Sequence, residues 1–565
     1  MQRRLAAVLV ILVSARSGMP SERPAGRSFA TRSVVYARHG MVAAAHPMAV
    51  QIGVDVLKKG GSAVDAAIAV NAALGFMEPM SCGIGGDLFA IVWDAKTQRL
   101  YGLNASGRAP RALTADKVKP AADGTIDDTT PASWTVPGAV NGWFAMHERF
   151  GRLPMREILA PTIQAAREGQ PVPEIIAASW QAGARAFKDQ PGFARTYLPE
   201  GRVPREGEVF RNPDLARAYE ALAQGGRDAF YRGAIAKDIV AFSRRHGGFF
   251  SEEDLAADRP DWVEPISTDY RGVQVYELPP NGQGISALQL LNVMETFDVK
   301  GMGRDSTAFW HRFVEAKKLV FEDRARFVAD PAFHKASVDW LLSKDYARDR
   351  ARLIDPARAA SRVEAGHPPL AAGDTTYLAV ADGDGNMVSL IQSNYDGFGS
   401  GYAVEGWGFA MHNRGALFNL RPGLPNSLEP GKRPFHTIIP AFAMKGGKPW
   451  LAFGLMGGDM QPQGHAQVIV NLVDFGMNLQ EAGDAARFYH TGSSEPTGTL
   501  MTTGGTLGLE SGVPADVRRD LARMGHRVVE AVGRFGGYQA VMRDPETGVL
   551  SGATESRKDG CAMGY

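Results

Sequence analysis

The chain has 565 residues, 44% hydrophobic and 22% charged, an ordinary globular balance with room for several domains or one large multilayer domain. Lys and Arg total 62 against 61 for Asp and Glu, a net charge of +1, which argues against a nucleic-acid binder held by phosphate neutralisation. Its two cysteines, Cys82 and Cys561, exclude a disulfide framework and any multi-cysteine zinc or iron–sulfur site.

Arg3 and Arg4 precede a short apolar run over 5–13 that ends Val13-Ser14-Ala15. A basic start, an apolar core and small residues before a cleavage point make a secretory signal. The expectation is export to the periplasm or medium; a cytoplasmic protein with an over-extended start is the alternative. Residues 1–34 are read as signal plus polar linker, and no other segment suits a membrane span.

Apolar spacing over 47–59 predicts a helix stopped by Gly60-Gly61, and Ser62 with Asp65 predicts the N-cap of a second, Ala-rich helix to about Met77. Residues 87–93 and 100–103 flank a turn and read as a hairpin. Helical periodicity runs over 137–169, 212–224 and 307–329, and 267–278 and 284–296 read as strand then helix. Residues 355–374 are rich in Ala, Gly and Pro without a period, and read as an exposed linker. Two β-rich runs, 375–381 and 387–393, then surround a Gly/Asp turn, a further hairpin. Strands are expected at 437–444, 450–455 and 538–543, helices at 463–475 and 478–486. Hairpins with helices before and after them suggest stacked antiparallel sheets covered by helices on both faces, an α+β architecture.

No Walker loop, no Ser in G-x-S-x-G and no H-E-x-x-H occurs, so phosphate-loop, nucleophile-elbow and zincin chemistry lack their signatures. The junction Asp374-Thr375 is different, because a linker ends there at a Thr that opens a strand. Cut before Thr375, the new α-amine, with a pKa of ~7.7–8.0, lies beside its own hydroxyl and serves as its base. One residue then supplies nucleophile and base. Thr-Thr equally suits the simple opening of a strand.

The ordered set Gly60-Gly61-Ser62-Ala63-Val64-Asp65-Ala66, Gly85-Gly86-Asp87, Arg108-Ala109-Pro110, Asp374-Thr375-Thr376 with Asp382-x-x-Gly385-Asn386, Phe398-Gly399-Ser400-Gly401, Lys432-Arg433-Pro434 and Gly457-Gly458 resembles the γ-glutamyltransferase family from about Gly40 to Tyr565. The resemblance implies a four-layer αββα sandwich of the N-terminal-nucleophile hydrolase type. It also implies self-cleavage at Asp374-Thr375 into a large subunit, 35–374, and a small subunit, 375–565, that form one domain. Acyl transfer from an amide to Thr375 is the implied chemistry, with Gly457 and Gly458 as the backbone oxyanion hole and Ser393 as a hydroxyl near the nucleophile. No Cβ there blocks the approach of N–H groups to the oxyanion. A plain Gly-Gly turn and a core-facing strand serine are the alternatives. No cofactor, metal or nucleic acid is implied. The partners are a small amide substrate and the two subunits of one precursor, with further oligomerisation left open.

Departures from the family pattern concern recognition. Ser106 stands where the family's transpeptidases carry the Arg that grips the glutamyl α-carboxylate, with Arg108 nearby. Phe435-His436-Thr437 replaces a Ser-Ser pair after Lys-Arg-Pro, and Asn394-Tyr395 replaces an Asn two residues after Ser393. The acid that meets the glutamyl α-amine is replaced by Leu417, while Asn413-Arg414 adds a cation, unless Arg414 is a surface arginine. The loop over 422–432 is short, which leaves the acyl pocket without a lid. The candidate substrate-binding residues are therefore Arg108, Asn394, Tyr395, Arg414, His436 and Thr437. A pocket of cations without a carboxylate suits an acyl group carrying only negative charge, so hydrolysis should outrun transpeptidation and the α-amine should be poorly recognised. The family-level expectation is cleavage of γ-glutamyl amides such as glutathione, with transfer to water or an amine. The alternatives are an acylase for glutaryl- or oxamate-like amides and an uncleaved binding protein of the same fold.

Overall fold

The computed structural model describes residues 23–335, 337–366 and 374–565, the side chains of Asp374 and Thr375 excepted. The signal expected over 1–15 and residues 367–373 of the expected linker lie outside the described residues.

Fourteen strands build two large sheets: β1 (Val35–Ala37), β2 (Met41–Ala44), β3 (Asp87–Asp94), β4 (Arg99–Ala105), β5 (Asp261–Val263), β6 (Ile266–Tyr270), β7 (Val273–Glu277), β8 (Asp374–Ala381), β9 (Met387–Tyr395), β10 (Ala441–Lys445), β11 (Lys448–Leu455), β12 (Tyr538–Arg543), β13 (Leu550–Thr554) and β14 (Cys561–Gly564). One sheet runs β1-β13-β12-β11-β10-β7-β6 and the other β14-β2-β8-β9-β3-β4-β5. Every neighbour in both is antiparallel.

The sheets stack through β8 and β9 against β11 and β12. Tyr377 of β8 lies flat on Gly454 of β11, where a Cβ would meet its ring at 2.5 Å. Glycine is required there because the two backbones approach across a ring with no space for a side chain.

Helices α1 (Pro47–Lys58) and α2 (Ala63–Met77) cover the β8 sheet. Ser62 and Asp65 cap α2 reciprocally at 3.1 and 2.9 Å. All residues of α2 are buried, which its Ala-rich sequence permits by letting sheet and helices close on every side. Helices α3 (Gly284–Glu295), α4 (Thr307–Phe327) and α5 (Met460–Val473) form the layer on the other side. The result is the αββα sandwich, with Thr375's strand paired on both edges inside it.

Several local expectations change. Residues 267–278 form a hairpin, not one strand, turning at Arg271-Gly272, both at positive φ (52° and 84°). Residues 137–169 hold two helices, Ala139–Phe150 and Met155–Glu168. The strand expected at 437–444 begins only at Ala441, because 437–440 is drawn into side-chain contacts at the site. Residues 355–366 are largely exposed yet tied down: Ala360 N donates to Glu315, Lys318 donates to Ala360 O, and Gly366 N donates to Asp323. Residues 23–34 dock rather than hang, with Arg27 N on Glu481 and Thr31 on Asp484.

Candidate active site

Thr375, the second residue of β8, lies at a register irregularity. Asp374 pairs with Tyr395 and Thr376 with Gln392, so β9 carries one residue more than β8 across this interval. Such bulges bend a strand and re-aim side chains beside active sites. Behind this point Thr376 Oγ1 donates to Glu78 at 2.9 Å, and the same carboxylate takes Ser81 Oγ and Lys558 Nζ at 2.9 and 3.0 Å. The strand that begins with the candidate nucleophile is thereby anchored on its helix side by an ionic hydrogen bond network.

The bulged strand divides the candidates. Ser393 is buried, accepts from Tyr395 N at 2.8 Å, and pairs with Asp87 of β3. Asn394 is taken up elsewhere: its amide donates to Pro79 O at 3.3 Å and its N–H to Ser81 O. Tyr395 stands under the Arg414 guanidinium at 4.6 Å from its ring centre.

Arg414 is fully buried, not a surface arginine. Its Nη1 donates to Thr437 Oγ1 at 2.7 Å and its Nε lies 3.8 Å from Asp87 Oδ2. His436 Nε2 donates to the same Asp87 oxygen at 2.9 Å, while Gly107 N donates to Oδ1. His412 stands 3.5 Å from Asp87 and bonds Thr135 O. Burial pushes the Asp87 carboxyl up, but His412, the His436 hydrogen bond and Arg414 outweigh it and hold its pKa at about 2. Burial and Arg414 press His436 down to about 3, so its imidazole is neutral. The expected pocket of cations without a carboxylate is corrected by this cluster: Asp87 offsets Arg414, and His436 adds no charge.

Arg108 is not part of it. Its guanidinium reaches Asp258 and Asp261, each at 3.5 Å, and Arg259 O at 3.2 Å. Arg433 of the Lys-Arg-Pro run joins the same outer network through Asp261 and Ser106 O.

Gly457 and Gly458 turn from β11 into α5 at φ +107° and +56°, conformations that favour glycine. Neither N–H bonds another described residue, and both lie at the positive end of α5. Two open donors ahead of a helix N-terminus are the equipment for holding an oxyanion. Gln283 fixes the turn. Its Nε2 donates to Gly458 O at 3.0 Å and to Thr437 O at 2.7 Å, and its Oε1 accepts from Arg324, which pairs with Asp459 at 2.5 Å. Contacts thus run from Gly458 through Gln283, Thr437, Arg414 and Tyr395 to the Asp374-Thr375 junction.

Asp87, His412, Gln283 and Arg324 were not singled out as site residues by sequence reasoning. Asp87 stood in the quoted Gly85-Gly86-Asp87 run, but its partner His436 lies 349 positions away. A buried His311–Glu315–His526 group has metal-ligand types. His311 uses both ring nitrogens, on His526 and Asp355 O, and Lys318 sits 2.8 Å from Glu315, so ordinary hydrogen bonds and an ion pair account for it.

Two antiparallel sheets between helical layers, an inner strand carrying Thr375 and a Gly-Gly turn with open N–H groups suit the N-terminal-nucleophile hydrolase class. Comparison with known proteins gives the particular family. The family model described as Gamma-glutamyltranspeptidase matches residues 49–565. The Glutathione hydrolase-like YwrD proenzyme of Bacillus subtilis (strain 168) is 36% identical over 93% of this chain and 98% of its own. The Acylase ACY 1 proenzyme of Pseudomonas sp. (strain SE83) is 35% identical, covering 92% of each. The crystal structure of cephalosporin acylase from Bacillus halodurans is similar over 97% of this chain and 99% of that one, with a TM-score of 0.87 and 44% identity. The chain belongs to the γ-glutamyltranspeptidase family, enzymes made as proenzymes that are cut into a large and a small subunit and act on amides.

Proposed function

We propose that this proenzyme cuts itself between Asp374 and Thr375 and then cleaves γ-glutamyl amides, passing the acyl group to water or an amine. In the cut enzyme the Thr375 hydroxyl attacks the amide carbonyl and its proton passes to the Thr375 α-amine. The tetrahedral oxyanion is held by the N–H groups of Gly457 and Gly458. As the C–N bond breaks, the ammonium returns the proton to the leaving amine and an ester remains on Thr375. Water or an acceptor amine then attacks that ester through the same oxyanion, and the hydroxyl is regenerated. Ser393, buried on the strand paired with β8 and opposite Asp87 in β3, would order these groups.

The observation that carries this reading is the Gly457-Gly458 turn, with two open donors tied by Gln283 to Thr437 and so to the Thr375 junction. Thr375→Ala should remain one full-length chain on a denaturing gel and release no anilide from an acyl anilide. Two chains in that variant would remove Thr375 from the role of nucleophile, and a single chain in the wild type would favour an uncleaved binding protein.

A second reading, an acylase for dicarboxylic acyl groups without an amine, is favoured by Leu417. It is buried in an apolar cluster with Ile285, Val328 and Phe435, where an acid would meet an α-ammonium. Turnover of γ-glutamyl and glutaryl anilides by the processed enzyme, measured side by side, separates the two readings.

A further inference from the structure

The acid missing at position 417 has a neighbour on another loop. Asn426 Nδ2 donates both to Leu417 O at 2.6 Å and to Pro496 O at 3.3 Å. Asn426 Oδ1 in turn accepts from Phe435 N at 2.9 Å. One side chain thus joins the Leu417 turn, the Phe435-His436-Thr437 segment and the loop that carries Glu495. That loop is held from the other side by Lys317 Nζ on Ser493 Oγ at 2.8 Å and by Ser494 N on Glu322 at 3.1 Å. Its tip is closed by Glu495 N on Thr499 O.

Glu495 is partly buried, and its neighbour Pro496 is held by Asn426 against the Leu417 turn. Asp459 from the oxyanion turn and Arg324 and Lys317 from α4 act on its carboxyl, and that carboxyl acts on Tyr395. Arg324 donates to Asp459 and Gln283 through Nη1, while its buried Nε and Nη2 have no hydrogen-bond partner among the described residues, and Lys317 bonds Ser493 and His490. The Glu495 carboxyl makes no hydrogen bond to any described residue.

We propose that Glu495 is the specificity-determining acid of the acyl pocket, meeting the α-ammonium of a γ-glutamyl donor in place of the acid that Leu417 displaces. This rests on the amidase reading above and deepens it by naming the acyl group's cationic head as what the pocket selects. Once ionised it favours γ-glutamyl over bare dicarboxylic donors, against the expectation drawn from Leu417 alone.

The site has a pH signature. Burial and Asp459 raise the Glu495 pKa to about 8, with Arg324 and Lys317 opposing. Below that value the free carboxyl is protonated and donates a hydrogen bond, which suits a bare carboxylate. As pH rises through it, the ionised carboxylate attracts an ammonium and repels a second carboxylate. Selectivity for γ-glutamyl over glutaryl donors therefore increases with pH.

The test is the ratio of kcat/KM for γ-glutamyl to glutaryl anilide between about pH 6 and 8, on the processed two-chain form of wild type and of Glu495→Gln. The ratio is read because titration of the Thr375 amine is common to both substrates and divides out. In the wild type the ratio should rise across this range. In Glu495→Gln it should rise less, because only Lys317, pressed by burial to about 7, still titrates there, and at the upper end it should be lower by about tenfold or more, the worth of one charge-assisted hydrogen bond. Glu495→Asp, which keeps the charge, should recover the slope in part. A Glu495→Gln ratio equal to wild type at every pH would overturn the assignment and leave the amidase reading standing. Loss of anilide release from both donors in processed wild type would count against that reading itself.

Discussion

Asp87 stays ionised in a place where burial alone would neutralise it, because three basic side chains converge on it. The arrangement also fixes His436 as a neutral imidazole with its proton on Nε2, since Nε2 donates to Asp87 and Nδ1 accepts from Ile438 N. Its pKa of about 3 lies below the unfolded value of 6.5, so the folded state binds no proton there while the unfolded chain does. The stability due to this neutral form is full above pH 6.5 and is lost as pH falls toward 3. Relative to His436→Asn, which has no such proton to gain, the wild type should lose about 2 kcal/mol between pH 7 and pH 5, at ~1.4 kcal/mol per unit below 6.5. Denaturant unfolding of the two proteins at the two pH values measures it. A difference that does not change with pH would mean that His436 accepts a proton inside the fold.

At the scale of elements, the Gly457-Gly458 turn is held by Gln283 and by the N–H groups of Met460 and Gln461 rather than by sheet pairing. Gly458→Val places a β-branched residue at a φ of +56° and should lower kcat by about 10²–10³ or more in a two-chain protein. Gln283→Ala removes both donations that orient the turn and Thr437; as a positioning residue it should lower kcat about tenfold with little change in KM, a split that loss of folded protein would not produce. Full activity in both variants would place the oxyanion donors elsewhere.

The same scale shows what was legible beforehand. Helix α2 announced itself through the Ser62/Asp65 box, and the β8–β9 hairpin through Asp382-Gly383-Asp384-Gly385-Asn386, because both signals act over a few residues. The 267–278 hairpin was missed because its turn uses Arg271 at positive φ, where Asn or Asp is the usual sign. Segment 437–440 looks like a strand from its β-branched residues, yet Gln283 and Gln461 take its backbone groups. The Glu495–Leu417 neighbourhood was invisible for a related reason. It depends on Asn426 bridging two loops that are distant in sequence, and residue-type pattern carries no record of such a bridge.

In the whole molecule, the proposed cleavage at Asp374-Thr375 would divide a continuous sandwich. β8 of the proposed small subunit pairs with β2, and β9 with β3, both on the large-subunit side of the cut. In the other sheet β10 pairs with β7, and β13 with β1. Each subunit alone would expose open sheet edges and an opened core. The cut chains should therefore co-elute as one particle on gel filtration and separate only in denaturant, and elution as two species under native conditions would show that the subunits are not interleaved in this way.

The position of the cut decides whether Thr375 can act as its own base. Intact mass and N-terminal sequencing of the smaller chain, taken from wild-type protein separated in denaturant, test it in one measurement. The predicted result is a chain that begins at Thr375 and runs to Tyr565, absent from Thr375→Ala. A smaller chain beginning at any other residue would contradict it, because Thr375 would then have no free α-amine to serve as its base.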